Sequence, residues 1–144
     1  MIYLDTSVVV PLFVRETATP RVLAWRDTLV SLQANELTVS SWTVCEFTSA
    51  MGIKVRNRDI SSENAEVARV LFESAFLPKI KIVEATPTDF RLAEIMLREF
   101  SLGLRAGDAL HLAIASRCAA REFVSLDRTL CKVAEVVGLR VTRI

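Results

Sequence analysis

Five side chains could carry chemistry in this sequence: Asp5, Glu46, Asp108, Asp127 and Ser125. Asp5 ends the apolar run Met1-Ile2-Tyr3-Leu4 and precedes Thr6-Ser7. Asp127 follows a second apolar run, Phe123–Leu126. Ser125 stands two residues before it, so both can point to one side of a strand end. Glu46 lies in a helical segment behind Leu37–Ser40, and Asp108 in the first turn of an Ala-rich segment. If the four acids converge, their hard oxygens select Mg²⁺ or Mn²⁺ rather than zinc. A single histidine, His111, and three cysteines without a CxxC spacing point the same way. Such an ion lowers the pKa of bound water and offsets charge on an attacked phosphate, which makes phosphodiester hydrolysis the natural chemistry. The Ser125 hydroxyl could orient a carboxylate or that water.

A plainer assignment competes with this one. In an α/β fold every helix starts on the same sheet edge, so capping acids collect there without a metal. Asp5 and Asp127 are ordinary N-cap candidates, and Thr43-Val-Cys-Glu46 matches a capping box. Against caps, Glu46 shares a helical stripe with Trp42, Ala50 and Ile53, which predicts a core-facing carboxylate that needs a partner. Asp108 shares a stripe with Leu112 and Ala115 in a segment with almost no polar face. Taken together these positions favour a metal site.

The elements that must position these groups follow from the apolar pattern. Runs without alternation at Met1–Leu4 and Phe123–Leu126 read as strands buried on both faces, the mark of a parallel sheet. Further strands are expected at Leu37–Ser40, Ile80–Val83 and Leu139–Val141. Helices are expected over Ser7–Val14, Thr19 to about Leu32, Ser41–Val55, Ser61–Phe76, Thr86–Phe100, Gly107–Arg121 and Asp127–Val137. Pro20 and Pro87 sit at first-turn positions, and Gly103 and Gly138 act as breaks. Strands alternating with helices imply an α/β sandwich. No linker, repeat or biased segment interrupts the 144 residues, so a single domain over 1–144 is expected.

Half of the residues are hydrophobic and 24% are charged, which excludes a disordered chain. No apolar run is long enough to span a bilayer and no export signal is visible, so a cytoplasmic protein is expected. Cys45, Cys118 and Cys131 lie in apolar helical contexts and read as reduced core residues. Gathering four of the 17 acids in one site leaves 13 against 18 basic residues, so the rest of the chain carries +5, a balance suited to a polyanionic substrate.

The motifs resemble those of PIN-domain ribonucleases, specifically the VapC-like toxins of toxin–antitoxin pairs. The matching pieces are Met-Ile-Tyr-Leu-Asp5-Thr-Ser, Ser-Ser-Trp-Thr-Val-Cys-Glu46-Phe, Leu104-Arg-Ala-Gly-Asp108-Ala-Leu-His-Leu-Ala and Phe123-Val-Ser-Leu-Asp127. The resemblance spans the chain and implies a PIN-like three-layer sandwich with a central, mostly parallel sheet. It implies that Asp5, Glu46, Asp108 and Asp127 are metal ligands for Mg²⁺ or Mn²⁺, assisted by Ser125. It implies an endoribonuclease toxin acting on RNA, a cognate small antitoxin and a homodimer, with no membrane partner. Gly107 stands where Ala or a bulkier residue is common in the family.

Other residues read more plainly. His111, in Ala-Leu-His-Leu-Ala, reads as a packed, hydrogen-bonded core residue rather than a general base. Arg105 could pair with Asp108 or touch a phosphate. Lys54, Arg56 and Arg58 read first as a solvated helix end and second as an RNA contact. A receiver or haloacid-dehalogenase phosphatase fails on the residues, because Asp5 is followed by Thr6 and Ser7 where adjacent acids or Asp-x-Asp are needed. A PIN-like binding module without activity is the remaining alternative, which metal binding and a nuclease assay would separate.

Overall fold

The computed structural model describes residues 1–29 and 36–144. Five strands form one sheet: β1 (Ile2–Leu4), β2 (Leu37–Ser40), β3 (Lys81–Val83), β4 (Glu122–Ser125) and β5 (Val141–Arg143). Their order is β3-β2-β1-β4-β5 and every pairing is parallel. The chain winds outward from β1 through β2 to β3, then returns to the other side of β1 with β4. The topological switch point therefore lies between β1 and β4, where open α/β sheets place their ligand crevices. In register, Leu4 pairs Val124, and the Asp5 N–H donates to the Val124 carbonyl at 3.0 Å. Asp5 and Ser125 are thereby set abreast at the carboxyl edge.

Among the described residues seven α-helices flank the sheet: α1 (Thr6–Val9), α2 (Thr19–Asp27), α3 (Ser41–Arg56), α4 (Ser62–Leu71), α5 (Pro87–Leu97), α6 (Ala106–Arg117) and α7 (Arg128–Val136). Alternation along β1 sends Ile2 and Leu4 to one face and Tyr3 to the other. The first face packs under α1–α4, where Phe47 stacks on Phe72 at 4.1 Å between ring centroids. The second packs under α5–α7, where Tyr3 stacks on Phe123. Two cores with a sheet between them make the three-layer sandwich. Helix α6 runs through the second core, with every residue from Ala109 to Ala115 buried.

Several boundaries differ from expectation for local reasons. The first helix begins at Thr6 and tightens to a 3₁₀ turn at Val10–Leu12, where Pro11 sits. Helix α2 ends at Asp27, and residues 30–32 of the expected second helix lie outside the described residues. Beyond α4 the chain widens into a π turn, Phe72–Phe76. Helix α5 stops at Leu97, and Phe100–Leu102 is a separate 3₁₀ turn before left-handed Gly103. Helix α6 stops at Arg117 rather than Arg121, because Ala119 takes a left-handed φ of 49°. The last strand is Val141–Arg143, two residues later than the apolar pattern implies. The cysteines also divide: Cys131 is buried, Cys118 half-buried and Cys45 exposed, so Cys45 is not the core residue its neighbours suggested. All three are free thiols.

Candidate metal centre

Asp5 is held as an acceptor rather than spent as a helix cap. It occupies the N-cap position of α1 without making a side-chain cap bond. Its Oδ2 instead accepts from Ser7 Oγ at 2.5 Å and Ser125 Oγ at 2.7 Å, in a buried position. Ser7 Oγ accepts in turn from the Leu126 N–H, and Ser125 Oγ from the Asp127 N–H. The two hydroxyls bind Asp5 to the end of β4 and leave Oδ1 directed toward His111 Nε2, 3.4 Å away. Ser125 thus orients Asp5, not the Asp127 carboxylate two residues on.

Glu46 is no cap either. The capping box of α3 is formed by Ser40 and Thr43, with the Thr43 N–H donating to Ser40 Oγ at 3.1 Å and the Ser40 N–H to Thr43 Oγ1 at 3.2 Å. The Thr43–Glu46 box that competed with the metal reading is therefore absent, and the box lies three residues earlier. The core-facing side of α3 is Thr43, Phe47 and Met51. Of the expected stripe, Glu46, Ala50 and Ile53 line an open cleft of about 560 Å³, while Trp42 and Ala50 also pack against the cores. Apolar residues nearly surround this helix, so periodicity alone could not choose the buried face.

In the cleft Glu46 Oε2 accepts from Thr6 Oγ1 at 2.5 Å and lies 2.7 Å from His111 Nε2. The other ring nitrogen, Nδ1, lies 2.9 Å from Tyr3 Oη, and that hydroxyl donates to Ser40 Oγ. Its oxygen is then free to accept. Both imidazole nitrogens face acceptors, an arrangement that suits an imidazolium donating at both ends. The shifts agree with this. Burial alone would lower the His111 pKa, but the Glu46 hydrogen bond and the charges of Asp5, Glu46 and Asp108 outweigh it and raise it. Burial would raise Glu46, but His111, Thr6 and Trp42 hold it below the usual carboxylate range. Burial keeps the Tyr3 hydroxyl protonated by pushing its pKa up. His111 is the packed core residue that the sequence implies, and its partners are the acids themselves.

Asp108 and Asp127 line the same cleft but also serve as helix-start acceptors. Asp127 Oδ1 accepts from the N–H groups of Thr129 and Leu130 at 2.7 and 2.9 Å, a true N-cap. Asp108 Oδ2 accepts a longer bond, 3.3 Å, from the Arg105 N–H. Burial raises the Asp108 pKa, the Arg105 N–H opposes it, and the charges of Asp5 and Asp127 raise it further. Three carboxylates therefore share one field. Lys54 lines the cleft in an ion pair with Glu16, whereas Arg56 lies along another depression beside Gly52 and Ser62.

Ligand atoms of Asp5, Glu46 and His111 all lie within 4.8 Å of one another, but an imidazolium has no lone pair to give, so the carboxylates are the members of this group that could take up an ion. Hydroxyl-steadied carboxylate oxygens lining a cleft fit a hard divalent cation. In the sequence, Thr6 and Ser7 had no role assigned in the site. The available signal was two hydroxyls placed directly after an acid, between two apolar runs. Thr6 is buried, and both residues fix carboxylates in the site.

The sequence matches the family model for the PIN domain over residues 2–136. A comparison with curated proteins finds no significant match. Among solved structures the chain is similar to the FitAcB structure from Neisseria gonorrhoeae, with 19% identity, TM-score 0.75, and coverage of 99% of this chain and 97% of that one. It is also similar to the sarcin–ricin-loop-cleaving toxin VapC20 of Mycobacterium tuberculosis, with 16% identity, TM-score 0.72 and full coverage of both chains. A third likeness is to VapBC2 from Rickettsia felis bound to a promoter DNA fragment, with 14% identity, TM-score 0.66, and coverage of 99% and 98%. At these identities the likeness shows the fold.

Proposed function

The chain belongs to the PIN domain family, and on that premise we propose that it is a metal-dependent endoribonuclease, the toxin of a toxin–antitoxin pair. The observation that carries the reading is the buried Asp5 carboxylate. It caps no helix, is aimed by two serine hydroxyls, and meets Glu46 and His111 at the floor of an open cleft. A single domain over residues 1–144 accords with a family match that spans almost the whole chain.

Asp5, Glu46, Asp108 and Asp127 would hold Mg²⁺ or Mn²⁺. The bound ion supplies a water of lowered pKa and offsets charge on the scissile phosphate. The chain's own groups do the positioning. Ser7 and Ser125 fix one oxygen of Asp5, Thr6 and His111 fix one oxygen of Glu46, and each carboxylate keeps a second oxygen for a ligand. His111 is no general base, since both of its nitrogens are engaged. Lys54, on the cleft wall, is placed to meet a phosphate in exchange for Glu16.

The partners belong to the same proposal: an RNA substrate, a second copy of the chain in a homodimer, and a small antitoxin. Solved neighbours in toxin–antitoxin complexes, such as VapBC-1 from nontypeable Haemophilus influenzae at 14% identity, support the last of these. An antitoxin arginine, whose fork matches carboxylates, is the group best suited to fill the acid cleft. Three free thiols accord with a reducing, cytoplasmic setting. No helix among the described residues is long and apolar enough to cross a membrane.

The test is cleavage of RNA with Mg²⁺ or Mn²⁺ and with EDTA, with analysis of the product ends. Attack by water leaves 5′-phosphate and 3′-hydroxyl ends. Ends carrying a 2′,3′-cyclic phosphate, or cleavage that persists in EDTA, would overturn the reading. The inactive binding-module alternative predicts metal binding or partner binding with no cleavage of any RNA.

A further inference from the structure

The two helices that carry Glu46 and Asp108 meet at a glycine. Gly107, immediately before Asp108, lies against α3 at Trp42 and Glu46. A Cβ built on Gly107 would stand 2.7 Å from Glu46 Oε1, and 3.4 Å from both Cζ2 and Nε1 of Trp42. The first distance is below any that carbon and oxygen tolerate without movement, so the Glu46 carboxylate occupies space that exists only because residue 107 has no side chain. Gly107 is not required by backbone conformation, since it lies in regular helix, where Ala is favoured over Gly by up to about 1 kcal/mol. Its reason is therefore the close approach.

The wall of the same gap holds a second anomaly. Trp42 Nε1 is buried with no hydrogen-bond partner among the described residues. An indole N–H can only donate, and a buried donor without an acceptor is costly. The acceptor in the same gap is the Glu46 carboxylate, whose Oε1, like Trp42 Nε1, lies against the Cβ position of residue 107. Oε2 is already committed to Thr6 and His111, whereas Oε1 lies toward Gly107 and the indole.

We propose that Gly107 and Trp42 are positioning residues for Glu46: the missing side chain at 107 admits the carboxylate between α3 and α6, and the unpartnered indole N–H beside it is the donor available to its free oxygen. This rests on the metal-site reading for its purpose, though not for its geometry. Gly107→Ala pushes on the far end of a flexible side chain, not on backbone. Glu46 is displaced from Thr6 and His111, while the rest of the fold stays in place. A residue that only packs the two helices would change the midpoint without moving Glu46 off His111.

The experiment compares the full-length protein with Gly107→Ala and Trp42→Phe, using Gly52→Ala as a control within α3, where an added Cβ meets only the end of the Arg56 side chain at 3.2 Å. Three quantities are read: the melting midpoint in EDTA, Mn²⁺ affinity by calorimetry, and the imidazole NMR signals of the sole histidine. Gly107→Ala is expected to keep a cooperative melt, to bind Mn²⁺ about tenfold more weakly, a loss of about 1.4 kcal/mol, and to lose the wild-type Nε2–H signal. Trp42→Phe shifts that signal and weakens Mn²⁺ less, and Gly52→Ala changes neither. Wild-type affinity or an unchanged histidine signal in Gly107→Ala would overturn the proposal. If wild type itself binds no Mn²⁺, the metal reading falls. The histidine signal of Gly107→Ala then still decides the positioning claim alone.

Discussion

Replacing Glu46 with Gln tests whether the acid cluster is anchored by an ion pair with the buried imidazole. The ring lies 2.7 Å from Glu46 Oε2 and is 1% exposed, against 27% for the Glu46 side chain. Gln keeps the shape and an acceptor oxygen, so what is lost is the charge. Hydrogen bonds to charged groups contribute about 1.5–3 kcal/mol, against about 1 kcal/mol for neutral ones. With part of Glu46 open to water, the loss near pH 6 is expected to be about 1–2 kcal/mol, or roughly 3–8 °C in melting midpoint. The pH dependence follows from the two shifts. Glu46 is lowered, so its contribution is full above its unfolded value and is lost as pH falls through the folded value. His111 is raised, so its contribution is full below its unfolded value and is lost as pH rises through the folded one. The gap between wild type and Glu46→Gln is therefore widest between about pH 4.3 and 6.5, the unfolded values, and narrows on either side. Urea denaturation in EDTA from pH 4.5 to 9 measures it, with His111 titrated by NMR. A gap that does not change with pH, or a wild-type His111 titrating below 6.5, would refute the ion pair.

The other acids behave differently. Asp108 is raised, so its charged form opposes folding: its contribution to stability is fullest at low pH and fades as pH rises through the folded value. Asp108→Asn should stabilise the metal-free protein by about 0.5–1 kcal/mol at pH 7, while abolishing RNA cleavage and reducing the gain in midpoint on adding Mn²⁺. A destabilised variant in EDTA would contradict the repulsion. Ser7→Ala and Ser125→Ala each remove one donor to Asp5 Oδ2 and should weaken Mn²⁺ binding several-fold, with a stability loss of about 1 kcal/mol. Unchanged Mn²⁺ affinity in the double variant would show that Asp5 needs no orienting. Away from the site, buried Asp89 accepts from Arg117 Nε at 2.6 Å and from the Thr86 N–H and hydroxyl. Burial would raise its pKa, but these donors lower it, so its contribution is lost as pH falls through the folded value. Asp89→Ala should cost about 3 kcal/mol at pH 7, because it strands a partly buried guanidinium, and less near pH 3. Equilibrium denaturation at the two pH values checks both the size and the trend.

How far the sequence could be read depended on whether one local signal settled the choice. β2 was legible to the residue because Leu37–Ser40 is bounded by a helix start that its own Ser40 caps. β5 was misplaced because the edge strand carries Thr142 and Arg143 while the apolar Leu139 belongs to the turn after α7, where its N–H meets the Ala134 carbonyl. Asp5 was legible as a strand-end acid, but its use was not, since a cap and a ligand look alike in sequence. Asp127 shows the overlap, being a capping acid that also lines the cleft. Glu46 was assigned a core-facing stripe because α3 is apolar on most sides, and only the fold reveals that α6 covers one side and leaves the cleft open. The Gly107 approach is beyond any pattern within one helix, because it depends on a neighbour 61 residues away in sequence.

The acids at the switch point between β1 and β4 are proposed to bind a catalytic divalent cation. Diffraction from crystals grown with Mn²⁺, recorded at a wavelength where manganese scatters anomalously, tests it most directly. An anomalous peak is expected in the cleft within ligand distance of Asp5 and of at least one of Glu46, Asp108 and Asp127, and its loss in Asp5→Asn. A cleft without a peak at saturating Mn²⁺, or a peak indifferent to Asp5→Asn, would contradict it.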